Sequence, residues 1–320
     1  MPDPAATPPE ASGAAASVSA AATVPARDAA TIMLVRDSES AGALEVCMLR
    51  RHLNSDFVGG AYVFPGGKVD DDDRSPAAGE VCSGRDDREA SELLGVESGG
   101  LAFWIAALRE CFEEAGVLVA RIRSSWPGPE ATPRLAALRV ALNAGEVGFV
   151  DACRREGLEL AVDRVHYFSH WITPEPAPKR YDTRFFVTAL PPEQVPIHDD
   201  HETTDTVWVR PDEALARARA GEFDLIFPTM KNLEAISRFG TSGELLAAAA
   251  AIETVPAVLP RVAADQRGVR ILLPGDPGYD EAVAPPPSAA APMTPTELGA
   301  VIRSIGSDGT MTPDAGRDDG

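Results

Sequence analysis

The sequence predicts an α/β fold, and three observations predict it. β-rich runs recur along the chain at 29–35, 44–49, 165–173, 184–189 and 206–209, each bounded by polar or Gly/Pro-rich turns. Helical patterns fall between them, the clearest over 104–117. That helix sets Trp104, Leu108, Cys111 and Ala115 at i, i+4, i+7 and i+11, an apolar stripe that can bury against a sheet.

Taken in order, residues 1–27 are Ala, Pro and Ser with almost no large apolar side chain. They cannot bury enough surface to offset ordering entropy, so they read as a disordered tail. The runs 29–35 and 44–49 are expected to pair as a hairpin, with Arg50, Arg51 and His52 at its end. Two Gly-Gly pairs, Gly59-Gly60 and Gly66-Gly67, then flank the short aromatic strand Tyr62-Val63-Phe64. Residues 70–100 form a first insertion: four aspartates, Asp70 to Asp73, read as a solvated loop, with a carboxylate contributed to the site as the alternative, and 87–94 as one short helix. Gly116 ends the central helix where a left-handed residue is needed, and 117–122 is expected as a strand. A second insertion over 127–160 reads as helical from Thr132 to Glu159 and is expected to cover the active site as a cap. His166 and His170, with three residues between them in the next strand, lack a partnering CxxC pair and read as packing or hydrogen-bonding residues. Helices are expected after Pro211 and Phe227, whereas 257–262 and 269–279 read as extended strips docking on the domain. Residues 281–320 read as a second, largely disordered tail with one short helix after Thr294. The chain is thus expected to hold one folded domain, 28–280.

Composition excludes several roles. The net charge is −20, and duplex nucleic acid as a main partner requires the Lys and Arg that neutralise phosphate. No run reaches the 18 apolar residues of a membrane span. The alanine-rich opening lacks the basic residue and leucine-type core of a secretory signal. The four cysteines have no zinc or disulfide spacing and read as reduced, mostly buried thiols of a cytoplasmic protein. Oligomeric state leaves no mark on the sequence.

The chemistry concentrates on the central helix. Glu110, Glu113 and Glu114 stand at i, i+3 and i+4, and like charges so placed repel one another. A cluster with that cost points to a bound cation, and oxygen ligands select hard divalent ions such as Mg2+ or Mn2+. Arg109 can brace the carboxylates through its planar fork of donors. The glycines, Gly67 among them, let backbone approach a ligand closely. Arg50 and Arg51 can face an anion, as can Lys179, Arg180 and Arg184. Glu202 adds an acid from a later loop.

The run Arg109-Glu110-Cys111-Phe112-Glu113-Glu114-Ala115-Gly116-Val117 resembles the second half of the Nudix box, and Phe64-Pro65-Gly66-Gly67-Lys68-Val69-Asp70 its opening. Gly67 and Arg109 lie 42 residues apart (109 − 67), where the box has 14, so about 28 residues interrupt it. Counted back from Arg109, the middle Glu of the box falls on Leu101. Together with Trp171-Ile172-Thr173-Pro174, the run 180–186 and the run 271–279, the chain is similar to the acyl-coenzyme A diphosphatase branch of the Nudix hydrolases. The resemblance implies an α/β/α sandwich around a mixed sheet, and hydrolysis of a phosphoanhydride in a nucleoside diphosphate-linked small molecule. It implies Glu110 and Glu114 as metal ligands, completed by Glu113 and the Gly66 carbonyl, with Arg109 orienting the glutamates. Glu110, Glu113 and Glu202 all qualify as the base that deprotonates water. For coenzyme A or an acyl-CoA the products would be 3′,5′-ADP and an acyl-phosphopantetheine, with Arg50 or Arg51 meeting phosphate and the helical insertion sheltering the pantetheine arm. Another dinucleotide or nucleotide-sugar substrate, or a nucleotide-binding module without turnover, satisfies the same box.

Overall fold

The computed structural model describes residues 24–55, 58–175, 177–265 and 268–282. In chain order its elements are β1 (Arg27–Asp37), β2 (Leu44–Arg51), β3 (Tyr62–Val63), β4 (Gly66–Lys68), α1 (Asp87–Leu94) and α2 (Leu101–Ala115). Next come β5 (Ala120–Ile122), α3 (Thr132–Asn143), α4 (Phe149–Glu156), β6 (Leu158–Leu160), β7 (His166–Ile172), β8 (Tyr181–Ala189) and β9 (Thr203–Val209). The chain continues through α5 (Pro211–Arg219), α6 (Phe227–Ile236), α7 (Ser242–Ala250), β10 (Ala257–Val258), β11 (Arg261–Asp265) and β12 (Gly268–Leu272).

Eight strands make one mixed sheet in which β1 runs parallel to β8, β10 parallel to β7, and the other pairs are antiparallel. β1 and β2 pair only where Val35–Asp37 meet Leu44–Val46. Beyond that the two strands diverge. β4 pairs with β1 at Ala29–Thr31 and β3 with β2 at Leu49 and Arg50, so the glycine-rich segment fills the wedge between them.

Strand alternation sends side chains to two cores. Ala30, Ile32, Leu34, Leu49 and Phe186 face α2, where Trp104, Ile105, Leu108, Cys111 and Phe112 are all essentially buried. Met33, Val35, Val46, Met48 and Val187 face the opposite way, onto α5, α6 and α7 through Leu215, Met230, Leu233, Ile236 and Leu245. The fold is therefore an α/β/α sandwich, with α3 and α4 added to the α2 layer through Leu135, Leu142, Phe149 and Cys153.

Both insertions brace α2. In the first, the Asp87 carboxylate accepts from the Leu101 and Gly99 amides (2.9 Å each), and Ser91 Oγ accepts from Gly100 N (2.9 Å). These bonds occupy donors that a helix start otherwise leaves bare. In the second, Arg139 on α3 donates from Nε to the Glu113 carbonyl (2.9 Å) and from Nη2 to the Glu114 carbonyl (2.8 Å), and Asn143 adds a contact to Glu113 at 3.2 Å. A cation there also matches the negative end of the helix dipole. Arg139→Ala should lower stability by about 1–2 kcal/mol in urea titration, with Arg139→Lys recovering part of the loss.

Three expectations change. Residues 117–119 are buried but belong to no strand; only Ala120–Ile122 pairs, and with β6 rather than the main sheet. The helical reading of 132–159 overran, because Gly157 at φ 62° ends α4 and Leu158 begins β6. The acidic run is not uniformly solvated, since Asp73 is 1% exposed. The short helix expected after Thr294 and most of both expected tails lie outside the described residues. All four cysteines are free thiols, and burial pushes those of Cys47, Cys82 and Cys153 up to about 12. Among the described residues no helix is long and apolar enough to cross a membrane.

Candidate active site

The last turn and a half of α2 meets the wedge between β1 and β2, and glycine is what allows the contact. A Cβ on Gly67 would lie 2.3 Å from Glu110 Oε1, and one on Gly66 would lie 2.6 Å from the Ala30 carbonyl oxygen. The Gly66 amide donates to Glu114 Oε2 at 3.1 Å. Loop and helix are thereby locked together through the carboxylates themselves.

Arg109 is the hub. It is 6% exposed and its guanidinium forks onto Asp73, Nε to Oδ1 and Nη2 to Oδ2 at 3.0 Å each. Nη2 also reaches the Lys68 carbonyl at 2.8 Å, while Nη1 reaches Glu110 at 2.9 Å and Glu113 at 3.0 Å. Burial alone would depress the guanidinium, but the hydrogen bonds and charges of Asp73, Glu110 and Glu113 outweigh it and keep Arg109 firmly protonated. Burial raises the Asp73 carboxyl against the pull of Arg109.

Asp73 corrects the counting of the box. Eight residues back from Arg109 is Leu101, but six residues forward from Gly67 is Asp73 (67 + 6). The interruption therefore follows the middle acid instead of removing it, and an aspartate stands where the box has glutamate. Leu101 is only the first residue of α2.

The carboxylates exceed the cations around them. Burial, then the opposing charge of Arg109, then repulsion from Glu113 set Glu110 at about 7. Glu114 is raised well above the ordinary range by burial first and by Glu110 next, with Arg51 opposing. Burial also raises Glu113. Among the described residues no three His, Cys, Asp or Glu side chains already converge about one point as a metal would gather them. The donor set nevertheless fits a hard divalent cation: every side-chain donor is a carboxylate oxygen, and a cation would relieve the repulsion that raises these groups.

A cavity of about 560 Å3 opens beside this cluster. One end is charged, lined by Arg51, Lys68, Asp70, Arg109, Glu110, Glu113 and Glu202. The other is apolar, lined by Trp171, Phe185, Phe227, Pro260, Val262 and Ile271 among others. Arg51 reaches the charged end because a register shift between Arg50 and Arg51 interrupts β2; its Nε is buried without a hydrogen-bond partner. Glu202 enters from the loop before β9.

Other sequence candidates lie elsewhere. Arg50 is exposed, donates to the Gly60 carbonyl at 3.4 Å and lies over the Tyr62 ring. Arg184 lies between Thr183 and Phe185, which line the cavity, so alternation turns it to the opposite face. There it pairs with Asp182 at 2.8 Å and lies 4.3 Å from the Phe103 ring centroid. His170 pairs with Asp182. No residue of 127–160 lines the cavity, so the second insertion braces α2 and does not roof the site. Sequence reasoning did not single out Asp73 from the acidic run, where its signal was the forward count, and it missed the apolar wall, whose residues come from four separated segments.

A family model described as the NUDT19 Nudix domain matches residues 14–236. The acyl-coenzyme A diphosphatase NUDT19 of Homo sapiens is 29% identical over 277 residues, covering 75% of this chain and 74% of that protein. The protein of the same description from Gallus gallus is 30% identical over 279 residues, covering 74% and 73%. The crystal structure of a NUDIX hydrolase from Alicyclobacillus acidocaldarius superposes with a TM-score of 0.56 at 24% identity, covering 73% of this chain and all of that one.

Proposed function

Since the chain belongs to the NUDT19 Nudix domain family and is a Nudix hydrolase, we propose that it cleaves the diphosphate of coenzyme A or an acyl-CoA in the presence of Mg2+ or Mn2+. The observation that carries this reading is the single cavity joining a carboxylate-and-arginine end to an apolar one, which suits a ligand with a diphosphate and an apolar arm. The names of the two NUDT19 relatives support the same substrate class.

In the proposed reaction a water oxygen bonds to one phosphorus and the bridging P–O bond breaks. The bridging oxygen leaves with the other phosphate, and the proton of water passes to a carboxylate. The products are 3′,5′-ADP and an acyl-phosphopantetheine. Glu110, Glu113, Glu114 and the Gly66 carbonyl would hold the cation, which when bound neutralises diphosphate charge and acidifies water. Arg109 fixes the rotamers of Glu110 and Glu113, so the acids are positioned before substrate arrives. Arg51, with its unpartnered buried Nε, and Lys68 are placed to receive phosphate oxygens.

For the base we favour Glu202. It lines the cavity from outside α2, whereas Glu110, Glu113 and Glu114 are assigned to the cation and Arg109 holds the first two. Glu202→Gln should cut kcat by about 10^2-fold or more with KM within about threefold. An unchanged kcat would return the role to Glu110 or Glu113.

The function itself is tested by incubating purified protein and divalent cation with CoA, acyl-CoA, NADH, ADP-ribose and Ap4A, then separating the products. Release of 3′,5′-ADP from the first two is the expected result. Turnover confined to the others would replace the substrate assignment.

A further inference from the structure

Glu202 is exposed, on the loop that joins β8 to β9. Among the described residues its carboxylate accepts no hydrogen bond and joins no ion pair, so the course of the backbone places it. Burial raises Glu110 and Glu114 most, and repulsion from Glu202 adds to both. An exposed side chain is thus held close enough to the acids of α2 for its charge to be felt there.

The loop is tied down at both ends. At its start the Gln194 side chain donates to the Leu118 carbonyl and accepts from the Leu118 amide, at 2.8 Å each. The Ile197 amide then donates to the Ala115 carbonyl at 2.8 Å, so the loop follows the end of α2. At its close the His52 amide donates to the Glu202 carbonyl at 2.8 Å, and Thr203 pairs with Arg51 across β9 and β2.

Between these ties stands Asp199. Its Oδ1 accepts from the His201, Glu202 and Thr203 amides at 3.3, 3.1 and 2.8 Å, and from Thr203 Oγ1 at 2.9 Å. Oδ2 takes a second contact from the Glu202 amide at 3.1 Å. Asp200 turns the chain within this ring at φ 63°, a conformation that short polar residues tolerate in turns. Burial opposes ionisation of Asp199, but the amides of Thr203 and Glu202 outweigh it and hold the carboxyl below the ordinary carboxylate range. Asp199 does not itself line the cavity.

We propose that Asp199 is the positioning residue of the base: its carboxylate gathers three successive amides and so fixes the direction in which Glu202 leaves the loop, opposite the acids of α2. The assignment rests on the reading of Glu202 as the base and extends it, since an exposed acid serves in catalysis only when something holds it in place.

The test is a double-mutant cycle on kcat, for whichever of CoA, acyl-CoA, NADH, ADP-ribose and Ap4A is cleaved. Asp199→Ala should lower kcat by about 10- to 100-fold with KM within about threefold. Asp199→Asn keeps Oδ1, which takes four of the five contacts, and should recover most of the loss. Asp199→Glu keeps the charge but moves the acceptor by one methylene, and should resemble alanine; it replaces alanine in the cycle if melting curves show that Asp199→Ala does not fold. Added to Glu202→Gln, the Asp199 change should alter kcat by less than about twofold, because the group it positions is already gone. The same fall in kcat in both backgrounds, or no fall in either, would overturn the positioning role while leaving Glu202 as the base. An unchanged kcat in Glu202→Gln alone would remove the base reading and this role with it.

Discussion

Glu114→Gln should abolish turnover, by on the order of 10^3-fold or more, and yet leave a protein at least as stable as the parent when divalent cations are chelated. Glu114 is buried and its folded-state pKa lies well above the ordinary carboxylate value. The sign follows directly. A carboxyl with a raised folded-state pKa contributes its full stability below its unfolded value and loses it progressively as pH rises through the folded one, because ionising it inside the protein costs more than ionising it in water. Glutamine removes that cost and still offers an oxygen to the Gly66 amide. The variant's advantage in melting temperature should therefore grow between pH 5 and pH 8 in chelator. The gain from added Mg2+ or Mn2+ should shrink in the variant relative to the parent. Undiminished turnover would contradict the assignment of Glu114, and a marked fall in stability would contradict the account of its burial.

Asp73→Ala should do the opposite, damaging stability first. It would leave the Arg109 guanidinium, now bidentate to Asp73, buried with Nε and half of Nη2 unpaired. Breaking a buried pair from one side costs about 3–5 kcal/mol. Activity should fall by about 10–100-fold in the fraction that stays folded, as when a supporting partner of a ligand is lost. Asp73→Asn, which keeps one acceptor, should lie between the two. Denaturant midpoints and kcat measured on the same samples separate the effects. A neutral Asp73→Ala would mean that Glu110, Glu113 and the Lys68 carbonyl hold Arg109 unaided.

These two residues also mark how far the sequence could be read. Glu114 was legible because helical periodicity is local: three acids within five residues must share a face, and the adjoining glycine turn named their neighbour. Asp73 was misread because its partner lies 36 residues away (109 − 73) across an insertion, and a run of four aspartates is usually solvated. The sandwich and its central helix followed from apolar patterning, whereas strand register did not. Arg184 illustrates the gap: its charge suggested phosphate, but its place between two cavity-lining residues on β8 turns it away. The apolar wall was invisible for a related reason, since residues 171, 185, 227, 262 and 271 become neighbours only once the sheet and its appended hairpin are assembled.

The Asp87 and Arg139 contacts also set limits on trimming this enzyme. Lengthening a loop costs only logarithmically in closure entropy, so a catalytic helix can absorb long added segments with little penalty. Once those segments splint both of its ends, however, the debt of shortening them exceeds the loop entropy recovered. A minimised variant would expose the amides at Gly99 to Leu101 and the carbonyls of Glu113 and Glu114 together. Compact redesigns would accordingly have to graft a new acid before the helix and a new base behind it.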